Sequence, residues 1–561
     1  NITVKLDPDY AHNCVEGHKV LVELTKELKK KVYLGTVLKI IGHKNDPKVD
    51  ILSIAYKYGI YEDFPEEVIE QLDTIPDEVS PDELKNRRDL TDKNIFTIDG
   101  DDTKDIDDAI SLEMNGENYV LGVHIADVSN YVKENTPLGD EAFKRGTSSY
   151  LADTVIPMLP HKLSNGICSL NEGVIRLSMS CVMEFDNQGK LVNYDIFQSY
   201  IKSRKKMTYK KVNDIIERGI IAEDYKPFAE TLIKMNELAH ILRKMKERRG
   251  YIDFDLDEAK IIQDENGVAI DVVKRVREAG ELLIEDFMIA ANECVATHIY
   301  NMDLPFIYRI HENPKPEKVE DFLNMVNLLG YHLHTKITNI TPYTMQRVLE
   351  ELADKKEFPI LSTLLLRSMR KAEYSKENLG HFGIASKAYT HFTSPIRRYP
   401  DLEVHRLLKK YLVENDMSMS TIDFLNTALV EIASHSSERE VAAQNAERDV
   451  DDMKMAEYME KNVGKTYVGT ISSVTSFGFF VELDNLIEGL VHISTLKKDY
   501  YNYVPELLSI IGKSTKKTYR LGDKVKVICT AASKETAMID FEIVEDKDGN
   551  KKVKYIPNPN V

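Results

Sequence analysis

Long apolar runs are missing from this 561-residue chain, cysteines are few, and there is no excess of basic charge. Without a stretch of about 20 apolar residues, a membrane-spanning helix is excluded. The five cysteines (Cys14, Cys168, Cys181, Cys294, Cys529) lie far apart, with no CxxC pair and no His/Cys cluster of zinc spacing. That removes a disulfide framework and a structural zinc site, and leaves the reduced thiols expected of a cytoplasmic protein. No signal-like start is present. The chain begins at Asn1 rather than Met, so its natural N-terminus is expected upstream and targeting is not read from it.

A net charge of −18 argues at first sight against a polyanionic partner. The distribution reverses that view. Residues 1–56 carry nine Lys against seven Asp and Glu, and residues 464–545 carry ten charges of each sign, so the acidity is concentrated between them. Within that acidic middle, "KSRKKMTYKK" (202–211) holds six basic residues and no acid, and "RKMKERR" (243–249) holds five with one acid. Basic strips on an acidic body suit a polyanion threaded along a path, and solvated helix faces explain such strips equally well.

Length predicts three or four domains. Residues 1–60 alternate short β-branched segments ("KVLVELT", "KVYLGTVLKII", "VDILSIAY") with turn signals, the pattern of a small all-β barrel. Residues 61–90 are rich in Pro and acid and read as a linker with one or two short helices. From 91 to 460 strands give way to long helical periodicities, which predicts one large α+β domain. Residues 464–545 open with "GKTYVGTISSVTSFGFFVELDNLIEGLVHIS", which resembles an OB-fold RNA-binding module, the S1 domain. There Phe477, Phe479, Phe480 and His492 are expected on or beside the face that stacks bases, with one of the three Phe buried and two facing solvent. Residues 546–561 read as a polar tail.

The densest chemistry is "TIDGDDTKDIDDA" (97–109), where Asp99, Asp101, Asp102, Asp105, Asp107 and Asp108 are opposed only by Lys104. A solvated acidic loop is one reading. The apolar flanks "NIFTI" and "AISLEM" favour another, a turn between two buried strands whose repulsion is relieved by held cations. No frame of the motif fits an EF-hand. Two divalent ions about 3.5 to 4 Å apart can activate water and support displacement at a phosphate, and carboxylates converging from a bend are suitable ligands. Farther on, "HFTSPIRRYPD" predicts a helix start with Ser394 as N-cap and Pro395 in the first turn, offering backbone N–H groups and Arg397 to an anion.

In this order, "TIDGDDTKDIDDA", "VHIADVSNYV", "RGTSSYLADTVIPMLPHKLSNGICSLN", "HFGIASKAYTHFTSPIRRYPDLEVHR" and the terminal S1-like module resemble the ribonuclease II (RNB) family, closest to its ribonuclease R branch and without the first cold-shock domain. The resemblance implies a multidomain protein in which an α+β RNB domain is flanked by a cold-shock-like barrel and an S1 barrel. It implies a processive 3'-to-5' exoribonuclease that releases nucleoside 5'-monophosphates with two magnesium ions, manganese being an alternative. The family spacing D-x5-D-x-D-D falls on Asp99, Asp105, Asp107 and Asp108, with Asp107 holding or orienting the second ion and the attacking water. Asp101 and Asp102 lie outside it. Arg397 is implied on the scissile phosphate, with Arg398 either at the RNA or in a structural ion pair.

By the same resemblance Tyr150 packs on the terminal nucleotides and Phe254 clamps the other end of the stack, with Tyr251 a competitor. Glu285 is implied at a ribose hydroxyl, and Glu447 lies in a further matching stretch. The implied partner is RNA entered from the 3' end, with the ribosome or RNA-decay machinery as further candidates, and a monomer is expected. The rival expectations are an RNA-binding regulator of the same architecture whose nuclease centre has decayed, and a metal-dependent endonuclease.

Overall fold

At the N-terminal end of the computed structural model, the strands Thr3–Leu6, Val32–His43 and His18–Lys29 form a sheet in that spatial order, the first pair parallel and the second antiparallel. The structure describes residues 2–6, 13–253, 257–335, 339–355, 357–497 and 499–544. Among these, the end expected as a small all-β barrel holds this three-stranded sheet with the helix Val49–Lys57 packed against it. That helix contains all of "VDILSIAY", which the sequence suggested was a strand. Its buried Val49, Ile51, Ala55 and Tyr56 recur at separations of four and seven residues, and a run this short satisfies either period. The next stretch holds the helix Glu66–Leu72 and the single turn Pro81–Leu84, closed by a capping box between Ser80 and Glu83.

The centre is a five-stranded sheet ordered Arg88–Asp89, Leu191–Lys202, Ile175–Phe185, Asn118–Ala126, Asp108–Asn115. Its long strands are antiparallel neighbours. A short parallel pair, Thr97–Asp99 with Lys206–Thr208, brings the first acidic residue beside the basic strip. Period-2 alternation explains how the sheet is covered on both faces. Ile110, Val123, Ile125 and Cys181 join one core with Leu232 and Leu238 of the helix Ala229–Arg249 and Phe287 and Val295 of the helix Ala279–Met302. Ala109, Ala126, Leu177 and Ile201 join the opposite core with Leu138, Leu163 and Leu402. The adjacent pairs Ile95/Phe96 and Ala109/Ile110 thus divide between the two layers. Each fully buried Leu, Ile or Phe contributes about 2 kcal/mol, so the acidic turn between these strands hangs from two anchored ends. A smaller core forms where the helices Pro316–Leu328, Pro342–Leu352 and Phe358–Ser368 meet.

The chain divides into two units, Asn1–Leu256 with Val276–Arg448, and Asp257–Arg275 with Asp449–Val561. The second unit contains a closed barrel of the strands Thr466–Thr475, Gly478–Leu483, Glu488–His492, Met538–Ile543 and Lys524–Ser533. The hairpin Glu258–Gln263/Ala269–Arg275 also belongs to this unit. Ala269 N donates to Glu457 Oε2 (3.1 Å) and Lys454 Nζ donates to the Gly267 carbonyl (2.8 Å).

Phe479 was expected to contact RNA, and the barrel overturns that expectation. Its ring is fully buried and stacks on Tyr519 with centroids 5.0 Å apart, because Phe477 lies in the turn and the inward–outward alternation starts only at Gly478. Gly478 is needed there, since at φ +155° a Cβ would sit 2.3 Å from the Val491 carbonyl oxygen. Phe477 is exposed, Phe480 half-buried with its ring 6.3 Å from that of Phe477, and His492 exposed. Phe479→Ala is therefore expected to cost about 3–5 kcal/mol of barrel stability in a denaturant titration. Phe477→Ala should leave that midpoint in place and weaken single-strand binding by about 1–3 kcal/mol.

Candidate active site

The strand Thr97–Asp99 ends in a turn closed by Thr103 N donating to the Gly100 carbonyl (3.3 Å), and the chain re-enters the sheet at Asp108. Between them Ile106 is buried and acts as a peg. Its N–H donates to Ser169 Oγ (3.0 Å), its carbonyl accepts from Leu170 N (3.0 Å), and Ser169 Oγ donates to the Lys104 carbonyl (2.7 Å). This pinning sorts the six acids. Asp101 and Asp102 are exposed, whereas Asp99, Asp105, Asp107 and Asp108 line one cavity of 420 Å³.

Tyr150, Glu285, Arg397 and Arg398 line the same cavity. Tyr150 lies in the short strand Ser149–Leu151, keeps part of its ring exposed, and its hydroxyl donates to Asp105 Oδ2 (3.2 Å). Burial pushes that phenol far up, so it remains a donor. Glu285 comes from the helix Ala279–Met302, near Tyr251 Oη (3.5 Å) and Arg277 Nη1 (3.7 Å), and burial raises its pKa. Phe254 lies outside the described residues. Glu447 is exposed on the helix Met419–Glu460.

"TSPIRRYPD" departs from expectation in one respect. Residues 394–398 form a separate turn, with Arg397 N and Arg398 N donating to the Ser394 carbonyl (3.3 and 3.0 Å), and the helix begins only at Tyr399. Ser394 is therefore not an N-cap. Its N–H is taken by Asp401 Oδ1 (2.8 Å) from the helix that follows. The turn is held from the other side by Asp107, whose Oδ1 accepts from Ile396 N (2.8 Å) and whose Oδ2 lies 3.9 Å from Arg397 Nε. The Arg397 side chain is half exposed, and its Nη2 donates to Ser394 Oγ (3.1 Å). Arg398, which also lines the cavity, makes a two-point pair with the buried Asp401 (2.9 and 2.7 Å), the structural alternative among its two expected roles.

Burial and mutual repulsion dominate the electrostatics. Desolvation, then the neighbouring Asp108, push the Asp99 carboxyl up to about 8, against the pull of Lys206 and Arg397. Burial pushes Asp108 up to about 6 against Arg397, and raises Asp107 well above the carboxylate range against Arg397 and the Ile396 N–H. Asp99 Oδ2 is buried with no hydrogen-bond partner among the described residues. Among those residues no three His, Cys, Asp or Glu side chains are already gathered as a metal cage. An all-oxygen donor set with an orphaned carboxylate oxygen nevertheless fits magnesium, which takes one or two carboxylates and completes its shell with water and phosphate.

The folded chain without metal holds protons that the unfolded chain releases above pH ~4, so stability falls from there to about pH 8. Asp99→Asn should raise the unfolding midpoint of the metal-free chain at pH 8, by about 1–3 kcal/mol, and divalent cation should stabilise the parent more than the variant.

The cavity lining also includes residues that no sequence signal singled out, among them Tyr209, Asn292, Tyr389 and His391. Tyr209 could have been found, because it is the aromatic within the basic strip. The strip itself is largely engaged. Lys205 pairs with Asp224 (2.9 Å), Lys211 lies 3.5 Å from the same carboxylate, and Lys206 Nζ donates to the Thr103 carbonyl.

The chain is similar to known proteins along most of its length. Residues 87–414 match the RNB domain, 1–65 the cold shock domain and 460–543 the S1 RNA binding domain. The chain is 48% identical over 510 residues to ribonuclease R 1 of Lactococcus lactis, covering 91% of this chain and 62% of that one. It is 47% identical over 550 residues to ribonuclease R of Thermotoga maritima, covering 96% and 77%. The chain thus spans somewhat less than two thirds of the first relative and about three quarters of the second. Mycoplasma genitalium RNase R, solved in complex with ribose methylated single-stranded RNA, superposes with a TM-score of 0.91 at 30% identity, over 97% of this chain and 85% of that one. With the RNB match running through both the aspartate turn and the arginine turn, the chain belongs to the RNB family, in its ribonuclease R group.

Proposed function

We propose that the chain is a 3'-to-5' exoribonuclease that hydrolyses single-stranded RNA to nucleoside 5'-monophosphates, with two magnesium ions held by Asp99, Asp105, Asp107 and Asp108. The observation that carries this reading is the meeting of four carboxylates, a half-exposed arginine and an exposed tyrosine ring around one 420 Å³ cavity. RNB-family exoribonucleases depend on divalent metal in general. Bound there, such ions supply a water of lowered pKa and neutralise charge on the phosphate.

The chain's own groups do the rest. Arg397 presents a fixed fork of donors to phosphoryl oxygens, which is worth most when charge builds on them. Asp107 sets the place of that fork by gripping the Ile396 N–H. Tyr150 stacks on the terminal base, and the Glu285 carboxylate accepts from a ribose 2'-hydroxyl, which DNA lacks. In the S1 barrel, Phe477, Phe480 and His492 offer rings on which single-stranded bases stack. Among the described residues no helix is long and apolar enough to cross a membrane, and the proposed setting is the cytoplasm, with RNA as partner and manganese as a substitute ion.

A 5'-labelled single strand incubated with the chain and magnesium tests this directly. Stepwise shortening to a small remnant is expected. Internal cuts would make it an endonuclease, and an unchanged band would make it an RNA-binding protein without catalysis.

A further inference from the structure

A nuclease that keeps its polymer after each cut has a transport problem: the RNA fills the way in, so the cleaved mononucleotide needs another way out. On the hydrolytic reading above, the region behind the aspartates is where that outlet must lie.

A second cavity, 780 Å³, sits on the other flank of the helix Ala279–Met302. Ile289 lines both cavities. The two also meet along one chain segment, because Ala385–Ala388 line the second and the next residues, Tyr389 and His391, line the first. Asn292, in the lining of the first cavity, holds this segment. Its Nδ2 donates to Tyr389 Oη (3.1 Å) and its Oδ1 accepts from Phe392 N (2.9 Å).

The lining chemistry selects the occupant. The two carboxylates in the lining are already neutralised, Asp286 by Lys246 (2.6 Å) and Arg243 (2.5 Å), and Glu293 by Arg249 (2.5 Å). Arg249 Nε remains buried without a hydrogen-bond partner among the described residues. Arg248 and Lys387 are exposed members of the lining for which no ion pair is recorded among the described residues, so the cavity is net positive. Its remaining surface is largely apolar, with Leu242, Met245 and Leu191 prominent. A cationic edge over an apolar floor suits a small molecule with a dianionic phosphate at one end and a flat heterocycle at the other. The volume exceeds what one nucleotide occupies, as a passage requires.

We propose that this cavity receives the released nucleoside 5'-monophosphate, its phosphate on Arg248 and Lys387 and its base against Leu242 and Met245, giving the product an outlet separate from the RNA entrance. Both charged residues are exposed, so their reversal leaves the fold intact.

The test is steady-state degradation of a labelled strand with 5'-AMP or adenosine added. AMP is expected to inhibit without raising KM for RNA, and adenosine at equal concentration is not. Arg248→Glu combined with Lys387→Glu should raise the AMP inhibition constant about tenfold or more and slow repeated turnover, while cleavage of the first bond in a single turnover stays within about twofold. Inhibition that is absent, competitive with RNA, or equal in parent and variant would overturn the outlet. Failure of the parent chain to release mononucleotides at all would instead overturn the hydrolytic reading, so the two failures are distinguishable.

Discussion

Asp107→Asn is expected to lower the hydrolysis rate at least about 1000-fold, equivalent to about 4 kcal/mol of barrier, while RNA affinity changes by no more than about threefold. The two oxygens of Asp107 have different partners. Oδ1 accepts from Ile396 N at 2.8 Å, and an asparagine carbonyl oxygen can take over that bond. Oδ2 faces Arg397 Nε at 3.9 Å, and there the substitution puts a neutral amide where a charge had been. The arginine turn should therefore stay in place while the cavity loses one of its four carboxylates. Asp107→Ala is a harsher change, because it also leaves a buried Ile396 N–H unpaired at a cost of about 1–3 kcal/mol. If position 107 acts through its charge, both variants are inactive and only the alanine variant is unstable. If it acts only by holding the turn, the asparagine variant remains active. Single-turnover cleavage of a 3'-labelled oligonucleotide, filter binding and thermal unfolding of both variants separate these outcomes.

The sequence was most informative where local pattern and tertiary role coincide. The aspartate turn could be located because its flanks alternate correctly: Ile95 and Phe96 go to opposite layers, as do Ala109 and Ile110, and both ends are anchored. Local pattern failed where a distant partner decides. Ser394 and Pro395 have the composition of a helix start, yet Asp401 takes the Ser394 N–H and Asp107 takes the Ile396 N–H, which holds a separate turn ahead of the helix. No window containing 394–398 includes Asp107. The phase of "SFGFF" was lost for a related reason. Alternation fixes which Phe residues share a face, but the strand begins at Gly478, so Phe477 belongs to the turn and Phe479 to the core. Asn292 and His391 gave no signal, since a single polar residue in an apolar stretch is usually a satisfied core residue, and only the folded wall shows that they line the cavity. The hairpin Glu258–Gln263/Ala269–Arg275 has its hydrogen-bond partners at Lys454 and Glu457, almost two hundred residues along the chain, a pairing that no local window contains.

The adjacent arginines provide the second large effect, because neighbours in sequence are expected to fail in different ways. Arg397→Lys should reduce kcat about 100-fold with little change in KM, since a point charge replaces a planar fork aimed at the charge that builds on the phosphate, a loss of about 2.7 kcal/mol. Its unfolding midpoint should hardly move, because the side chain is half exposed and its recorded hydrogen bond is to Ser394 Oγ. Arg398→Ala should behave in the opposite sense. It leaves Asp401, fully buried and also holding Ser394 N, without its two-point partner, and breaking such a buried pair costs about 3–5 kcal/mol. That variant should lose stability first, and activity mainly through unfolding and slackening of the 394–398 turn. Measuring kcat at a temperature where circular dichroism shows both variants folded distinguishes the roles. A stable but inactive Arg398 variant beside an active Arg397 variant would exchange the two assignments and place the phosphate contact on Arg398.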